Sequence, residues 1–304
     1  MNEEFYMKRC LQLAKNGQQN ARPNPMVGAV IVSADNRIIG EGYHVRCGEG
    51  HAEVNAFASV KPEDEHLLSE ATIYVSLEPC AHYGKTPPCA ELIIRKGVKR
   101  CVVGCVDPFA KVKGKGIQMI LDAGIEVKVG VLENECMELN RHFMTRHSKQ
   151  RPYTLLKWAQ TEDGFIDNDG KALALSSPYT KMLMHKLRSE YDAIAVGRIT
   201  DEREHPQLNV REWYGYNPQK LVLTSREEAD FSPYLSLMVE GGEKALASFL
   251  ESGEWDEIRV ETAPILIHKG TKAPRTPYDA RLVSIKEYDG RRIATYRRQE
   301  EYAK

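Results

Sequence analysis

The chain has almost no excess of either charge. In 304 residues, 42 Lys and Arg stand against 43 Asp and Glu, a formal net charge of -1. That balance removes the electrostatic footprint of a nonspecific nucleic-acid binder, so no nucleic-acid partner is expected. No apolar run approaches the length of a membrane span, and Met1-Asn2-Glu3-Glu4-Phe5-Tyr6 lacks the basic-then-apolar order of a secretion signal. No membrane association is expected, and the expected compartment is cytoplasmic. Cysteine is scarce, and its odd count of seven fits reduced thiols, two of them available to a metal, better than a disulfide framework. Cys10, Cys101 and Cys105 fall in apolar contexts and are expected in the core. Signs of disorder are also missing: 42% hydrophobic and 28% charged residues is ordinary globular usage, and 304 residues exceed one typical core.

What is present is one dense group of metal-binding types. His51-Ala52-Glu53 is followed by Pro79-Cys80 and then by Cys89. A neutral imidazole and two thiolates fill three positions of a tetrahedral zinc and leave the fourth to a water that the metal acidifies. Glu53 is then the carboxylate that carries a proton from water to a departing amine. The expected roles are zinc ligation for His51, Cys80 and Cys89 and general acid–base catalysis for Glu53, the requirements of hydrolytic deamination. The competing reading is a structural zinc closed by His44, Cys47 or His82, in which Glu53 has no use. Eight residues separate Cys80 from Cys89, whereas nucleic-acid editing deaminases place two between their cysteines. That longer loop offers His82 and Lys85 as donors toward a substrate.

Hydrophobic periodicity predicts alternating helix and strand in the first half. Helices are expected over 3–16, 51–60, 115–123 and 133–145, and strands over 26–33, 37–43, 71–77, 100–106 and 126–129. Another helix should open at Cys89, with Pro88 at or near its first position and Gly97 just past its end, where the helix N-terminus favours a thiolate. Five strands with interleaved helices imply a layered α/β sandwich with its ligands beyond the carboxyl ends of strands. The polar stretch 146–152 precedes an apolar strand at 153–159 and marks the boundary between domains over 1–148 and 152–304.

Ala21-Arg22-Pro23-Asn24-Pro25-Met26-Val27-Gly28, His51-Ala52-Glu53 and Ser76-Leu77-Glu78-Pro79-Cys80-Ala81-His82-Tyr83-Gly84-Lys85-Thr86-Pro87-Pro88-Cys89 resemble the bifunctional deaminase/reductase family of riboflavin biosynthesis. The resemblance implies a cytidine-deaminase-like three-layer α/β/α sandwich. It also implies a zinc-dependent loss of the 2-amino group from a diaminopyrimidine that carries a phosphoribosylamino group. It implies substrate contacts from Asn24, His44, His82 and Lys85. The family usually has Asn where Phe109 stands, and a phenyl ring cannot make the hydrogen bonds of that side chain.

The second half resembles the family's reductase, a dihydrofolate-reductase-like α/β domain. The matches are Leu156-Lys157-Trp158-Ala159-Gln160-Thr161-Glu162-Asp163-Gly164, Leu187-Arg188-Ser189-Glu190, Val196-Gly197-Arg198-Ile199-Thr200, Pro206-Gln207-Leu208-Asn209-Val210-Arg211 and Val239-Glu240-Gly241-Gly242. The resemblance implies NADPH-dependent reduction of the ribosyl chain to ribityl. Cofactor contacts fall to Lys157, Ala159, Ser176, Thr200, Glu204, Gly241 and Gly242, and substrate contacts to Arg188, Leu208, Arg211 and Glu240. Gly241 and Gly242, between a strand over 235–239 and a helix over 243–251, would let amides and a helix N-terminus approach a phosphate. Two guanidinium forks suit the substrate phosphate, and Glu240 suits sugar hydroxyls.

Three departures stand out. The stretch from the strand at 221–225 to Met238 is much shorter than in the family, so the domain is expected to be shortened in its middle, losing strands and part of the cofactor wall. Glu204-His205 replaces an aspartate-asparagine pair, and Ala174 replaces a tryptophan. The alternatives are a deaminase with a noncatalytic reductase-like scaffold and a nucleic-acid editing deaminase. The expected partners are a small phosphoribosyl pyrimidine and further copies of the chain, as a homo-oligomer.

Overall fold

The computed structural model describes residues 2–84, 87–109 and 113–299. The chain divides into two compact units, Met1–Lys149 and Gln150–Lys304. Each is built on its own sheet, the first evenly mixed and the second mostly parallel.

In the first unit the elements follow as α1 (Glu3–Ala14), β1 (Gly28–Val32), β2 (Ile38–Tyr43), α2 (Ala52–Ala58), β3 (Thr72–Leu77), α3 (Cys89–Lys96), β4 (Arg100–Cys105), α4 (Lys115–Asp122), β5 (Glu126–Val129), α5 (Glu133–Leu139) and α6 (Arg141–Lys149). The sheet order is β2-β1-β3-β4-β5; β1 runs antiparallel to β2 and β3, and β3, β4 and β5 are parallel. Both faces are covered, which is why β1 and β3 read as continuous apolar runs instead of alternating. Ala29, Ile31, Ile73 and Val75 pack on one side with Ala56, Phe57 and Ile93. Val30, Val32 and Tyr74 pack on the other with Met7, Cys10 and Cys136. These two cores make the three-layer α/β/α sandwich.

Close backbone approach sets the position of α2. A Cβ on Gly42 of β2 would lie 2.3 Å from the Ala56 nitrogen and 2.5 Å from the Ala52 oxygen, so only glycine lets the helix lie this tightly on the strand. The single helix expected over 133–145 is instead two. It breaks at Asn140, whose amide Nδ2 donates to the Met26 carbonyl (2.8 Å) and whose Oδ1 accepts from the Met26 N–H (2.8 Å). A buried side chain satisfying both polar groups of a distant residue outweighs an unbroken helix. The polar stretch expected as the connection is helical as far as Lys149.

The second unit comprises β6 (Tyr153–Thr161), α7 (Pro178–Arg188), β7 (Ala193–Gly197), α8 (Arg198–Glu204), β8 (Gln219–Leu223), β9 (Ser236–Glu240), α9 (Glu243–Ser252), β10 (Glu257–Ala263), β11 (Ala280–Tyr288) and β12 (Arg291–Arg298). Its sheet runs β11-β12-β10-β6-β9-β7-β8, parallel from β10 to β8, with β12 antiparallel to both neighbours. Leu156, Trp158, Val239 and Ile258 pack with Leu246 and Phe249 of α9 on one face. Tyr153, Leu155, Ile194 and Met238 pack with Met184 and Leu187 of α7 on the other. Helix α7 begins in a reciprocal cap, Ser177 accepting from the Thr180 N–H while the Thr180 hydroxyl accepts from the Ser177 N–H. The short passage after β8 returns directly to β9, so β8 is a sheet edge, and the seven strands remain continuous.

Candidate active sites

The three metal-ligand types converge because three elements end at one place. His51 is the N-cap of α2, Cys80 follows β3, and Cys89 is the first residue of α3. The Cys80 carbonyl accepts the Ala90 N–H at 3.2 Å, and the Cys80 Sγ accepts the Cys89 N–H at 3.3 Å, so the α3 N-terminus is fastened to the loop that carries the second sulfur. His51 Nδ1 lies 3.6 Å from Cys80 Sγ and 3.4 Å from Cys89 Sγ, and the three ligand atoms lie within 4.8 Å of one another. One nitrogen and two sulfurs, with no fourth His, Cys, Asp or Glu in the group among the described residues, fit a zinc ion with an open position. Zinc held there supplies a Lewis acid that makes hydroxide available near neutral pH.

Within this group the neighbouring Cys89, and after it His51, draw Cys80 well down against burial, while the same pairing pushes Cys89 up. Glu53, only 3% exposed, is pushed up to about 7, chiefly by burial and then by the neighbouring Cys80 charge. A carboxyl poised near neutrality next to a metal site is equipped to accept and to deliver a proton.

Asn24 and His44 are brought together beside this centre. Asn24 Nδ2 lies 3.1 Å from His44 Nε2, His44 Nδ1 lies 3.2 Å from the Gly50 carbonyl, and the His44 ring meets His51 edge-on at 5.2 Å. An amide N–H on one ring nitrogen and a carbonyl on the other select the neutral tautomer with Nδ1 protonated. Burial lowers the His44 pKa in the same sense. His82 is exposed, and Lys85 lies outside the described residues. Sequence reasoning passed over two acids. Asp107 is buried and raised to about 6, first by burial, with Glu78 and Cys80 adding to the rise and His82 opposing it. Glu78 is buried, and among the described residues its carboxylate is met by backbone N–H groups. Phe109 turns its ring edge-on to His147 at 5.1 Å, and Phe143 lies 4.3 Å from the same imidazole, so Phe109 makes ring contacts in place of the hydrogen bonds of the family's asparagine.

The second unit holds a cavity of about 740 Å³. Lys157, Ala159, Arg188, Thr200, Glu204, Leu208, Glu240, Gly241 and Gly242 all line it; Ser176 and Arg211 are not among its walls. The Ser176 hydroxyl donates to Glu261 Oε2 at 2.7 Å, and Arg211, exposed, donates to Asn209 Oδ1 at 2.9 Å. Lys157 and Glu240 are register partners on adjacent parallel strands, and Arg188 ends the helix packed over that face. Their side chains form a largely buried ion triad: Lys157 Nζ to Glu240 at 3.2 Å, Arg188 Nε and Nη2 to Glu240 at 2.9–3.0 Å. Burial works to raise Glu240, but Lys157 and Arg188 hold it below the ordinary carboxylate range. Arg188, expected on the substrate phosphate, is therefore committed to Glu240, with Nη1 on the Asn209 carbonyl at 3.3 Å. Gly241 and Gly242 take φ of 84° and 74° ahead of α9, and a Cβ on Gly242 would lie 2.9 Å from the Thr200 hydroxyl. The cavity also exposes Arg198, Arg203, Arg226 and Lys244, none of them expected from the sequence. Glycine amides at a helix start among several cations fit the phosphates of a dinucleotide.

The comparisons with known proteins agree with this division. Residues 1–105 match the family model "Cytidine and deoxycytidylate deaminase zinc-binding region", and residues 152–235 match "RibD C-terminal domain". The chain thus joins a zinc-dependent deaminase, a hydrolase, to a reductase of the α/β class, and zinc and NADPH are the cofactors of these two domains. It is 36% identical to the riboflavin biosynthesis protein RibD of Aquifex aeolicus over 320 aligned positions, covering 88% of each chain. That alignment is longer than the 304-residue chain itself, so part of it faces gaps on this side. Identity to the RibD of Escherichia coli is 36%, over 89% of this chain and 76% of that protein. A solved deaminase/reductase of Thermotoga maritima superposes with a TM-score of 0.87 at 32% identity, over 98% of this chain and 99% of that one. This chain belongs to the RibD family of riboflavin biosynthesis, bifunctional deaminase/reductases.

Proposed function

We propose that the first unit deaminates 2,5-diamino-6-(5-phosphoribosylamino)pyrimidin-4(3H)-one and that the second reduces the ribosyl chain of the product to ribityl with NADPH. The observation that carries the first step is the convergence of His51, Cys80 and Cys89 around a position overlooked by buried Glu53. In this reading Glu53 takes a proton from the attacking water and returns it to the departing amine, so the ring carbon gains oxygen and ammonia leaves. Asn24 and His44 hold the pyrimidine edge, and His82 and Lys85 reach the substrate from the loop between the two cysteines.

For the second step the cavity supplies orientation, and the nicotinamide supplies the hydride. Gly241, Gly242 and Thr200 face the cofactor phosphates, Ala159, Lys157 and Glu204 complete the cofactor wall, and Ser176 joins them. Leu208, Arg211, Arg188 and Glu240 serve the substrate, with Arg188 acting through its grip on Glu240. The deaminase domain spans 1–148 and the reductase-like domain 152–304. The reaction partners are small molecules rather than nucleic acid or membrane, the compartment is cytoplasmic, and no helix among the described residues is long and apolar enough to cross a membrane. Exposed Leu282, Val283 and Ile285 on the edge strand β11 support a homo-oligomer, which light scattering would test.

The deciding experiment incubates the protein with the diaminopyrimidine and NADPH and identifies products by mass. The ribityl aminouracil establishes both steps. Accumulation of the deaminated ribosyl compound favours the second reading, a deaminase with a noncatalytic scaffold, which the shortened passage after β8 motivates. No turnover by zinc-loaded protein overturns the substrate assignment.

A further inference from the structure

Glu78 stands two residues before the zinc ligand Cys80 and is 4% exposed. Its carboxylate accepts four backbone N–H groups. Oε2 takes those of Asp107 (3.2 Å) and Gly114 (2.9 Å), and Oε1 takes those of Gly116 (3.0 Å) and Ile117 (3.4 Å). Gly114 is the N-cap of α4, so Glu78 supplies from a neighbouring strand the acceptors that the first turn of this helix lacks in its own sequence. The approach is tight: a Cβ on Gly116 would lie 1.9 Å from the Pro79 oxygen. On its other side the Glu78 N–H donates to the Cys105 carbonyl at 2.9 Å, holding β3 to the end of β4. One carboxylate thereby ties Asp107, two residues past β4, and the start of α4 to the peptide that leads into Cys80. Asp107, the first residue so held, is buried, accepts the Phe109 N–H at 2.8 Å, and shares its electrostatic neighbourhood with His82 and Cys80.

We infer that Glu78 is a positioning residue of the deaminase: it fixes the backbone of Asp107 and the first turn of α4 as a wall of the substrate site, without touching metal or substrate itself. Four charge-assisted bonds in a buried setting define that wall closely, and a displacement near 1 Å is enough to weaken binding. The inference rests on the deaminase reading given above.

The test is Glu78→Gln in the full chain. The amide keeps one acceptor oxygen and replaces the other with a donor facing two N–H groups, so one pair of bonds is lost and a repulsion is added. The expected result is an unchanged zinc content, an unchanged reduction of the pre-deaminated substrate, a deaminase KM raised about 10-fold or more, and a kcat within a few-fold of the parent. An unchanged KM overturns the inference, and so does a parallel fall of zinc content and kcat, which would make Glu78 a support of Cys80 alone. If the variant does not fold, hydrogen exchange on the unaltered protein decides. Slow exchange at the Gly114 and Gly116 amides, slower still with product bound, supports the inference, and fast exchange overturns it. An inactive parent protein would instead count against the deaminase reading itself.

Discussion

The two units solve different problems with the same architecture. In the first, the chemistry lies at the ends of elements: His51 caps α2, Cys89 opens α3, and Cys80 leaves β3, so a few side chains of obligatory type converge within 4.8 Å. In the second, the cavity is lined along strands β6 and β9 and at the start of α9, mostly by backbone, small residues and a largely buried ion triad. A metal demands particular donors, whereas a dinucleotide accepts any well-shaped wall with amides and cations near its phosphates. The first site is accordingly sharp and the second broad. The first tolerates few substitutions, and the second distributes its function.

That contrast can be broken most sharply at Glu53. Glu53→Gln should lower deamination about a thousandfold while zinc content, by elemental analysis, and reduction of the pre-deaminated substrate stay unchanged. Loss of both activities together would mean that the two sites are not separate.

Next in size is the triad. Glu240→Ala leaves Lys157 and Arg188 buried without their anion and should cost the second unit about 3 kcal/mol or more in urea unfolding. Reductase activity should disappear, and deaminase activity, assayed well below the transition, should persist. At the cofactor turn, Gly242→Ala forces a side chain into a φ of 74° and against Thr200. The KM for NADPH should rise about 10-fold with deamination untouched.

The smallest effect concerns pH. His185 is buried with Nδ1 donating to the Asn209 carbonyl at 2.8 Å, and burial lowers its pKa below the usual 6.5. The unfolded chain then binds the proton more readily than the folded one, so stability is full above about 6.5 and is lost as pH falls through the folded value. The melting temperature of the second unit should drop modestly on acidification across that range, and His185→Asn should flatten the drop.

Legibility followed the same division. The convergence of His51, Cys80 and Cys89 and most elements of the first unit could be read in advance, because ligand chemistry restricts residue type and both sheet faces are buried. The unbroken helix over 133–145 was misjudged because Asn140 answers to Met26, more than a hundred residues away. Asp107 and Glu78 escaped notice because an acid in sequence carries no mark of burial. The one available signal for Glu78 was an acid just past an apolar strand, directly before Pro79-Cys80. Arg188 was assigned to a phosphate because a guanidinium fork suits one, and only the register of β6 against β9 revealed that Glu240 already occupies it.

The sequence by itself determined the metal chemistry, the order of two α/β units and the family, since these depend on residue identity, spacing and period. Tertiary structure alone decided which charges are spent on each other, which acid ties the start of α4 to the peptide before Cys80, and that the short passage after β8 leaves a continuous seven-stranded sheet. Those outcomes depend on which distant backbone and side-chain groups meet once water is excluded, and a linear pattern holds no record of that meeting.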